Sequence, residues 1–348
     1  MKASSPNLDR AHNILSSSIG ADAHVDTLQR LLVDGVDLDA ALSEGHVDYP
    51  RLLSGKVSLL VCALWTPTYY PREAAFARTI DLLAAARRFC AKSKHFKIAA
   101  SVSAANKIIR DGSIAMVLSL EGCDALGRNL NLLERFREEG VSSIGLTHVS
   151  ANDLSGSSTA TSIHGGLSTL GRSAVIEMNR LGVLIDVSHA SDEAVSDVLD
   201  VSTQPVVASH SCCRSLCESP RNLPDALIAA IASRGGVICI AAHAGFLHPE
   251  DIREITVPTI PEETKKDREA LDERLRTEHI AALQAKDYRY ATLEDLADHI
   301  EHAVRVAGIG HVALGSDFDG GITPPQWIRG HIVSATPRIR AARPWIPS

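Results

Sequence analysis

Gly182–Ser211 reads GVLIDVSHASDEAVSDVLDVSTQPVVASHS, and this stretch decides the fold. Two mostly apolar runs of strand length, Val183–Val187 and Pro205–Ala208, each lead to a histidine, His189 and His210. Near-unbroken Val, Ile and Leu runs suit strands buried on both faces, as in a parallel sheet covered by helices. The segment between them, SDEAVSDVLDVS, opens on Ser191, a good N-cap, and carries acidic residues in its first turn. Strand, crossover helix and parallel strand make one βαβ unit, so both histidines emerge at the same C-terminal edge of the sheet. Two imidazoles at one edge predict a metal site if other strands deliver ligands there.

Working outward, six more apolar runs read as strands: Ala21–Asp26, Lys56–Trp65, Ile114–Leu120, Val141–Thr147, Gly236–Ala242 and His311–Ser316. Helical segments separate them: Pro71–Ser93, Ser103–Arg110, Leu130–Glu139, Thr169–Leu181, one opened by Asn222 or Pro224 and closed at Gly235, and Thr292–Ala307. A short helix over Asn7–Ser18 leads, the polar stretch Val149–Gly166 reads as a substrate-facing loop, and the charged stretch Glu262–Lys286 reads as a helical insertion on the surface. Eight strands alternating with helices, without linker or internal repeat, predict an α/β fold of the (β/α)8 TIM-barrel type over residues 1–320. An open doubly wound sheet should carry a Gly-rich phosphate loop after its first strand, and DAHVDTLQ has none. After Gly320 the chain turns to GITPPQWIRGHIVSATPRIRAARPWIPS, with five prolines, four arginines and no clean helical stripe. Residues 321–348 therefore read as an atypical basic tail, which leaves the barrel without a recognisable last helix.

The size and composition bound the function. At 348 residues, with 45% hydrophobic and 22% charged, the chain is long enough for one large barrel. A net charge of −7, spread along the sequence, argues against nucleic acid as a partner. MKASSPNLDRAHNIL has no apolar signal-peptide core, and no run approaches the roughly 18 apolar residues of a membrane helix. The seven cysteines lack a CxxC pair and read as reduced thiols, so the expectation is a cytoplasmic protein with no membrane partner.

Polar residues at barrel-strand C-termini read as catalytic. Six of the eight strands end in one: His24 and Asp26, Glu121, His148, His189, His210 and Asp317. Each taken alone reads as a hydrogen-bonded structural residue or a helix cap; their coincidence at one face is the signal. Gathered in a small volume, four imidazoles and three carboxylates would repel one another as charges form unless cations fill the space. Imidazole and carboxylate without thiolate suit zinc, with manganese or cobalt as substitutes. The ligands outnumber the needs of one tetrahedral ion, which suggests two. Such a pair shares a bridging carboxylate and a bridging water whose pKa falls to roughly 7, and the product is hydrolysis. Arg221, in ESPRNLPD, reads by itself as a solvated loop charge, and His243 and His248 as loop histidines.

Eight motifs in order resemble one family: H-x-D at His24/Asp26, S-L-E-G at Ser119–Gly122, L-T-H at Leu146–His148, G-L-S-x-x-G at Gly166–Gly171, N-R-L-G-V-L-I-D-V-S-H at Asn179–His189, S-H-S at Ser209–Ser211, R-N-x-P-D at Arg221–Asp225 and G-S-D-F-D-G at Gly315–Gly320. Together, from about residue 20 to 325, they resemble the membrane (renal) dipeptidases, binuclear-zinc enzymes on a TIM barrel. The resemblance implies two zinc ions, with His24 and Asp26 on one, His189 and His210 on the other, and Glu121 bridging. It implies a metal-bridging hydroxide as nucleophile. It also implies that His148 steadies the oxyanion, that Asp317 stands at the metal pair as ligand or proton carrier, and that Arg221 clamps the C-terminal carboxylate of a dipeptide, with D-residues a candidate class there. The sequence after about residue 325 departs from the family. That departure keeps open a weakened or inactive metal-binding scaffold, or a homodimer that covers exposed apolar area. Another binuclear amidohydrolase, acting on N-acyl amino acids or lactones, is the remaining alternative.

Overall fold

Nine strands form one parallel sheet: β1 (Gly20–Val25), β2 (Val57–Trp65), β3 (Phe96–Ile98), β4 (Ile114–Glu121), β5 (Val141–Gly145), β6 (Leu184–Asp186), β7 (Val207–Ser211), β8 (Val237–Ile240) and β9 (Val312–Leu314). The computed structural model describes residues 6–160, 165–253, 260–284, 290–325, 328–329 and 332–333. Eight strands follow one another around a barrel in the order β1-β2-β4-β5-β6-β7-β8-β9. The ring closes just beyond β9, where the Asp317 N–H donates to the His24 carbonyl (3.0 Å) and the Asp26 N–H donates to the Phe318 carbonyl (2.8 Å). The short β3 pairs with the first half of β4, whose second half pairs with β5. This is the (β/α)8 TIM-barrel arrangement that the sequence predicts.

Burial follows from the parallel sheet. Seven of the eight residues of β4 are buried, because helices cover one face and barrel interior the other. The helices start where the sequence supplies a cap: Ser168, Ser191 and Thr292 each accept a backbone N–H from the first turn of Thr169–Leu181, Asp192–Val201 and Leu293–Ala307. Gly182 ends the first of these at φ 65°, a left-handed turn that glycine adopts without Cβ strain. No helix among the described residues is long and apolar enough to cross a membrane.

Several elements go beyond the sequence reading: the helices Thr27–Val33 and Tyr49–Gly55, β3, the short helical turns Ala244–Leu247 and Pro249–Asp251, and, inside the stretch read as a tail, an antiparallel pair of two-residue strands, Ile328–Arg329 and Ile332–Val333. Within the insertion, Arg268–Gln284 is a helix that buries Leu271 and Leu275. Its Asp272 accepts from Tyr70 (2.7 Å) and Arg78 (3.3 Å), and Arg78 in turn donates to Gln29, whose amide donates to the Trp65 carbonyl at the end of β2 (2.7 Å). Bonded this way, the insertion braces the C-terminal rim of the barrel. On the opposite flank the end of β9 is open, with Ala313 and Leu314 exposed although Val312 packs on the core. No helix follows β9 within residues 315–325. Beyond that point, residues 334–348 of the basic tail lie outside the described residues.

Candidate metal centre

The strand ends are aimed by local conformation. Asp22, His24 and Asp26 alternate with apolar neighbours, so all three face the barrel interior. Glu121 is the last residue of β4 and pairs in register with Trp65 of β2. His189 and Asp317 both adopt left-handed backbone, at φ 68° and 65°. That conformation costs a non-glycine residue about 1–3 kcal/mol and is retained where surrounding structure enforces it. Here it turns both side chains into the mouth of the barrel. Gly320 passes so close to the carboxylates that a Cβ there would lie 2.5 Å from both Asp26 Oδ2 and Asp317 Oδ1.

Glu121 stands at the centre, and its two oxygens face different groups. Oε2 lies 3.4 Å from His24 Nε2, which is itself 3.6 Å from Asp26 Oδ2. Oε1 lies 2.9 Å from His189 Nε2, 3.5 Å from His210 Nε2 and 3.7 Å from His148 Nε2. Three ligand groups result: His24, Asp26 and Asp317; His24, Glu121 and His210; Glu121, His148 and His189. The rings are nested, with centroid separations of 3.8 Å for His24–His210, 4.8 Å for His189–His210 and 4.5 Å for His148–His189. All seven strand-end residues singled out in the sequence therefore meet at one mouth.

Several polar atoms here are buried without a hydrogen-bond partner: His24 Nε2, Asp26 Oδ1, His148 Nδ1 and His189 Nδ1. Orphaned buried groups cost about 1–3 kcal/mol each, so native structures rarely leave them clustered unless something else fills the site. His189 Nε2 and His210 Nε2 approach to 2.9 Å, hydrogen-bond distance when one ring carries its proton there and the other offers its lone pair. Nitrogen and carboxylate oxygen donors, orphaned together and converging, fit divalent cations such as zinc.

The electrostatics divide the mouth into two poles. Burial and then the Glu121 charge push the Asp26 carboxyl up from an ordinary 3.8 to about 6. Burial and then Asp26 raise Asp317 well above the carboxylate range. For His24, burial works against the charged ring, but Glu121 and Asp26 outweigh it and its pKa rises. This pole is short of positive charge. Across the mouth, burial first and nearby cationic groups second hold His189 and His210 well below the usual imidazole value. Glu121 lies between, held well below its normal range by His24, His148 and the His189 hydrogen bond despite its burial.

Arg221 lies against the imidazole pole. It is buried, its Nη2 donates to the His210 carbonyl (3.3 Å), and its guanidinium sits 5.2 Å from the Phe246 ring centroid. Its Nε has no partner. The sequence reading of a solvated loop charge does not describe it: Arg221 is a buried cation with a donor to spare. His243 and His248 sit at the starts of short helices, where their Nδ1 atoms accept from Gly245 and Glu250 N–H.

Sequence reasoning passed over several residues behind the ligands. Trp65 lies beside His148 at 5.7 Å between ring centroids. Asp22 accepts from Ser316, and Asp186 accepts from Ser209. An aspartate inside an otherwise apolar barrel strand, two or three residues before a histidine, is the signal that could have found both.

The family described as membrane dipeptidase (peptidase family M19) matches residues 8–332. The chain is 30% identical over 311 residues to dipeptidase tcpJ of Claviceps purpurea, covering 86% of this chain and 63% of that protein. It spans about half to two thirds of the length of the curated relatives it matches. Among solved structures it resembles the probable dipeptidase PvdM from Pseudomonas aeruginosa, with TM-score 0.79, 24% identity and 94% and 90% of the two chains covered. It also resembles a metallopeptidase from Rhodobacter sphaeroides liganded with a phosphinate mimic of the dipeptide L-Ala-D-Ala, with TM-score 0.73, 24% identity and 90% of each chain covered.

Proposed function

The chain belongs to the membrane dipeptidase family, peptidase family M19, and from that membership and the geometry of its mouth we propose that it is a zinc-dependent dipeptidase. The observation that carries the reading is Glu121, whose two carboxylate oxygens face separate groups of ligands. His24 and Asp26 would hold one zinc ion, His189 and His210 the second, and Glu121 would bridge them, with Asp317 beside the first. Manganese or cobalt would be workable substitutes. When bound, such a pair supplies Lewis acidity toward a carbonyl oxygen and acidifies water.

The chain's own residues do the rest. Arg221 meets the free C-terminal carboxylate of the substrate, a group that a guanidinium grips with two parallel hydrogen bonds. A carboxylate held at that point sets the length of substrate, since a longer peptide places no carboxylate there. His148, 17% exposed at the lip of the mouth, donates toward the oxyanion that forms on the scissile carbonyl. Asp317, in the ligand group with His24 and Asp26, would take the proton released by the attacking water and pass it to the leaving amine. Dipeptides ending in a D-residue are included in the proposed substrate class, because the Rhodobacter sphaeroides relative binds a mimic of one.

Hydrolysis of L-Ala-L-Ala and L-Ala-D-Ala, beside their C-terminal amides and N-acetylalanine, tests the reading. Free dipeptides should be cleaved, a chelator should abolish cleavage, zinc should restore it, and amidation should remove the substrate from use. Faster cleavage of N-acetylalanine than of either dipeptide, or turnover indifferent to chelator, would count against it.

A further inference from the structure

Ser209, one residue before His210 on β7, lies where Asp186, His210 and His24 converge. Its hydroxyl donates to Asp186 Oδ2, and its Oγ is 2.9 Å from His210 Nδ1 and 3.2 Å from His24 Nδ1. All four residues are buried, each 6% exposed or less. Asp186 Oδ1 accepts the backbone N–H of Ser188 (2.9 Å) and of Ser209 (3.1 Å), so its acceptor-only carboxylate is fixed from two strands.

A hydroxyl has one proton and two lone pairs. With the proton committed to Asp186, the two lone pairs remain for two donors, and the nearest are the Nδ1 atoms of His24 and His210, the Ser188 hydroxyl standing farther off at 3.4 Å. An imidazole that carries its proton on Nδ1 offers a lone pair at Nε2. Those Nε2 atoms are the ones that face Glu121, at 3.4 Å and 3.5 Å. The two histidines come from β1 and β7, and each is assigned above to a different ion.

We infer that Ser209, held by Asp186, is a positioning residue common to both cation sites: one hydroxyl sets the tautomer and ring orientation of a ligand of each ion. The inference rests on the two-ion reading of the centre and extends it. Ser316 differs: its hydroxyl also donates to a buried aspartate, Asp22, at 2.5 Å, but its other partners are the His24 carbonyl and the Phe318 N–H. Groups that orient a metal-binding histidine through its other nitrogen typically affect metal affinity by roughly 10–100-fold.

The test compares wild-type protein and Ser209→Ala, both stripped of metal and titrated with zinc by calorimetry and with cobalt by visible absorption. Circular dichroism of the stripped proteins confirms that each is folded. The expected result is a loss of roughly 10–100-fold in affinity at both ions, with cobalt bands from both sites altered. Wild-type affinity at either ion in folded Ser209→Ala overturns the inference. A wild-type protein that takes up no cation instead sinks the reading of the centre itself, and the inference with it. Should Ser209→Ala not fold, Asp186→Asn carries the test. Its amide would donate to Ser209, turn the hydroxyl proton toward one imidazole, and weaken at least one ion; two ions bound as tightly as in wild type would overturn the inference.

Discussion

Two seams of the barrel, β9 with β1 and β6 with β7, are built alike and behave oppositely. At each, the backbone ladder is thin: β6 and β7 share one paired position, Asp186 with Val207, and β1 meets the chain beyond β9 at Val25 and Phe318. At each, a buried aspartate replaces missing ladder bonds. Asp22 accepts from His24 N–H (3.2 Å) and Ser316 N–H (2.8 Å), as Asp186 accepts from Ser188 and Ser209. Strands held by side chains rather than by a ladder can splay at their ends, which makes room for converging ligands. The residues that follow then set the character of each seam. Asp26 and Asp317 make the β1 side a pole that retains protons, whereas His189 and His210 make the β6–β7 side a pole that sheds them.

Glu121 belongs to both poles, so its removal should have the largest effect. Glu121→Gln is expected to lower binding of both ions and to cut kcat/KM by more than about 100-fold, beyond the usual effect of a group that merely supports a ligand. Metal analysis alongside kinetics checks this; loss of a single ion would show that the carboxylate serves one pole only.

Asp26 tests the charge of the β1 pole. Its folded-state pKa of about 6 lies above an ordinary 3.8, so the folded chain binds this proton more tightly than the unfolded one. Stability of the metal-free protein is then lost as pH rises from about 4 through 6. Asp26→Asn removes that loss and should stabilise the metal-free protein at pH 7 by on the order of 3 kcal/mol while weakening the first ion. His189 and His210, held low, contribute the opposite slope: their stability is present above the unfolded value near 6.5 and is lost as pH falls below it. Urea unfolding of wild type and Asp26→Asn under chelator across pH 4–8 separates the two slopes, which overlap below pH 6.5. A metal-free Asp26→Asn no more stable than wild type would break the contrast between the poles.

The smallest effect is expected at Arg221, beside the imidazole pole. Arg221→Met should raise KM for free dipeptides roughly 10–100-fold, the worth of a charged hydrogen bond, with a lesser change in kcat. Equal losses on free and amidated dipeptides would remove the carboxylate from its role.

Much of this was legible in the sequence because a barrel puts its chemistry at one place along each strand. An apolar run ending in His24, Glu121, His189 or His210 announces both the strand and the group at its mouth. Thr27–Val33 and Tyr49–Gly55 escape because they are about two turns long, and β3 because three residues carry no period. Asp186 and Ser209 escape for another reason. Their function exists only across strands, 23 residues apart for that pair and 294 for Asp22 and Ser316, and no local pattern encodes a partner at such a distance. Arg221 was visible as a residue but not as a buried one, since burial of a loop charge depends on Phe246 and the His210 carbonyl meeting it.

The most direct test is the number of ions the mouth holds. Metal-free protein titrated with zinc, with dipeptide hydrolysis followed at each addition, should take up two ions per chain and regain activity as the pair is completed. Uptake of one ion or none, or full hydrolysis before any zinc is added, would contradict the account.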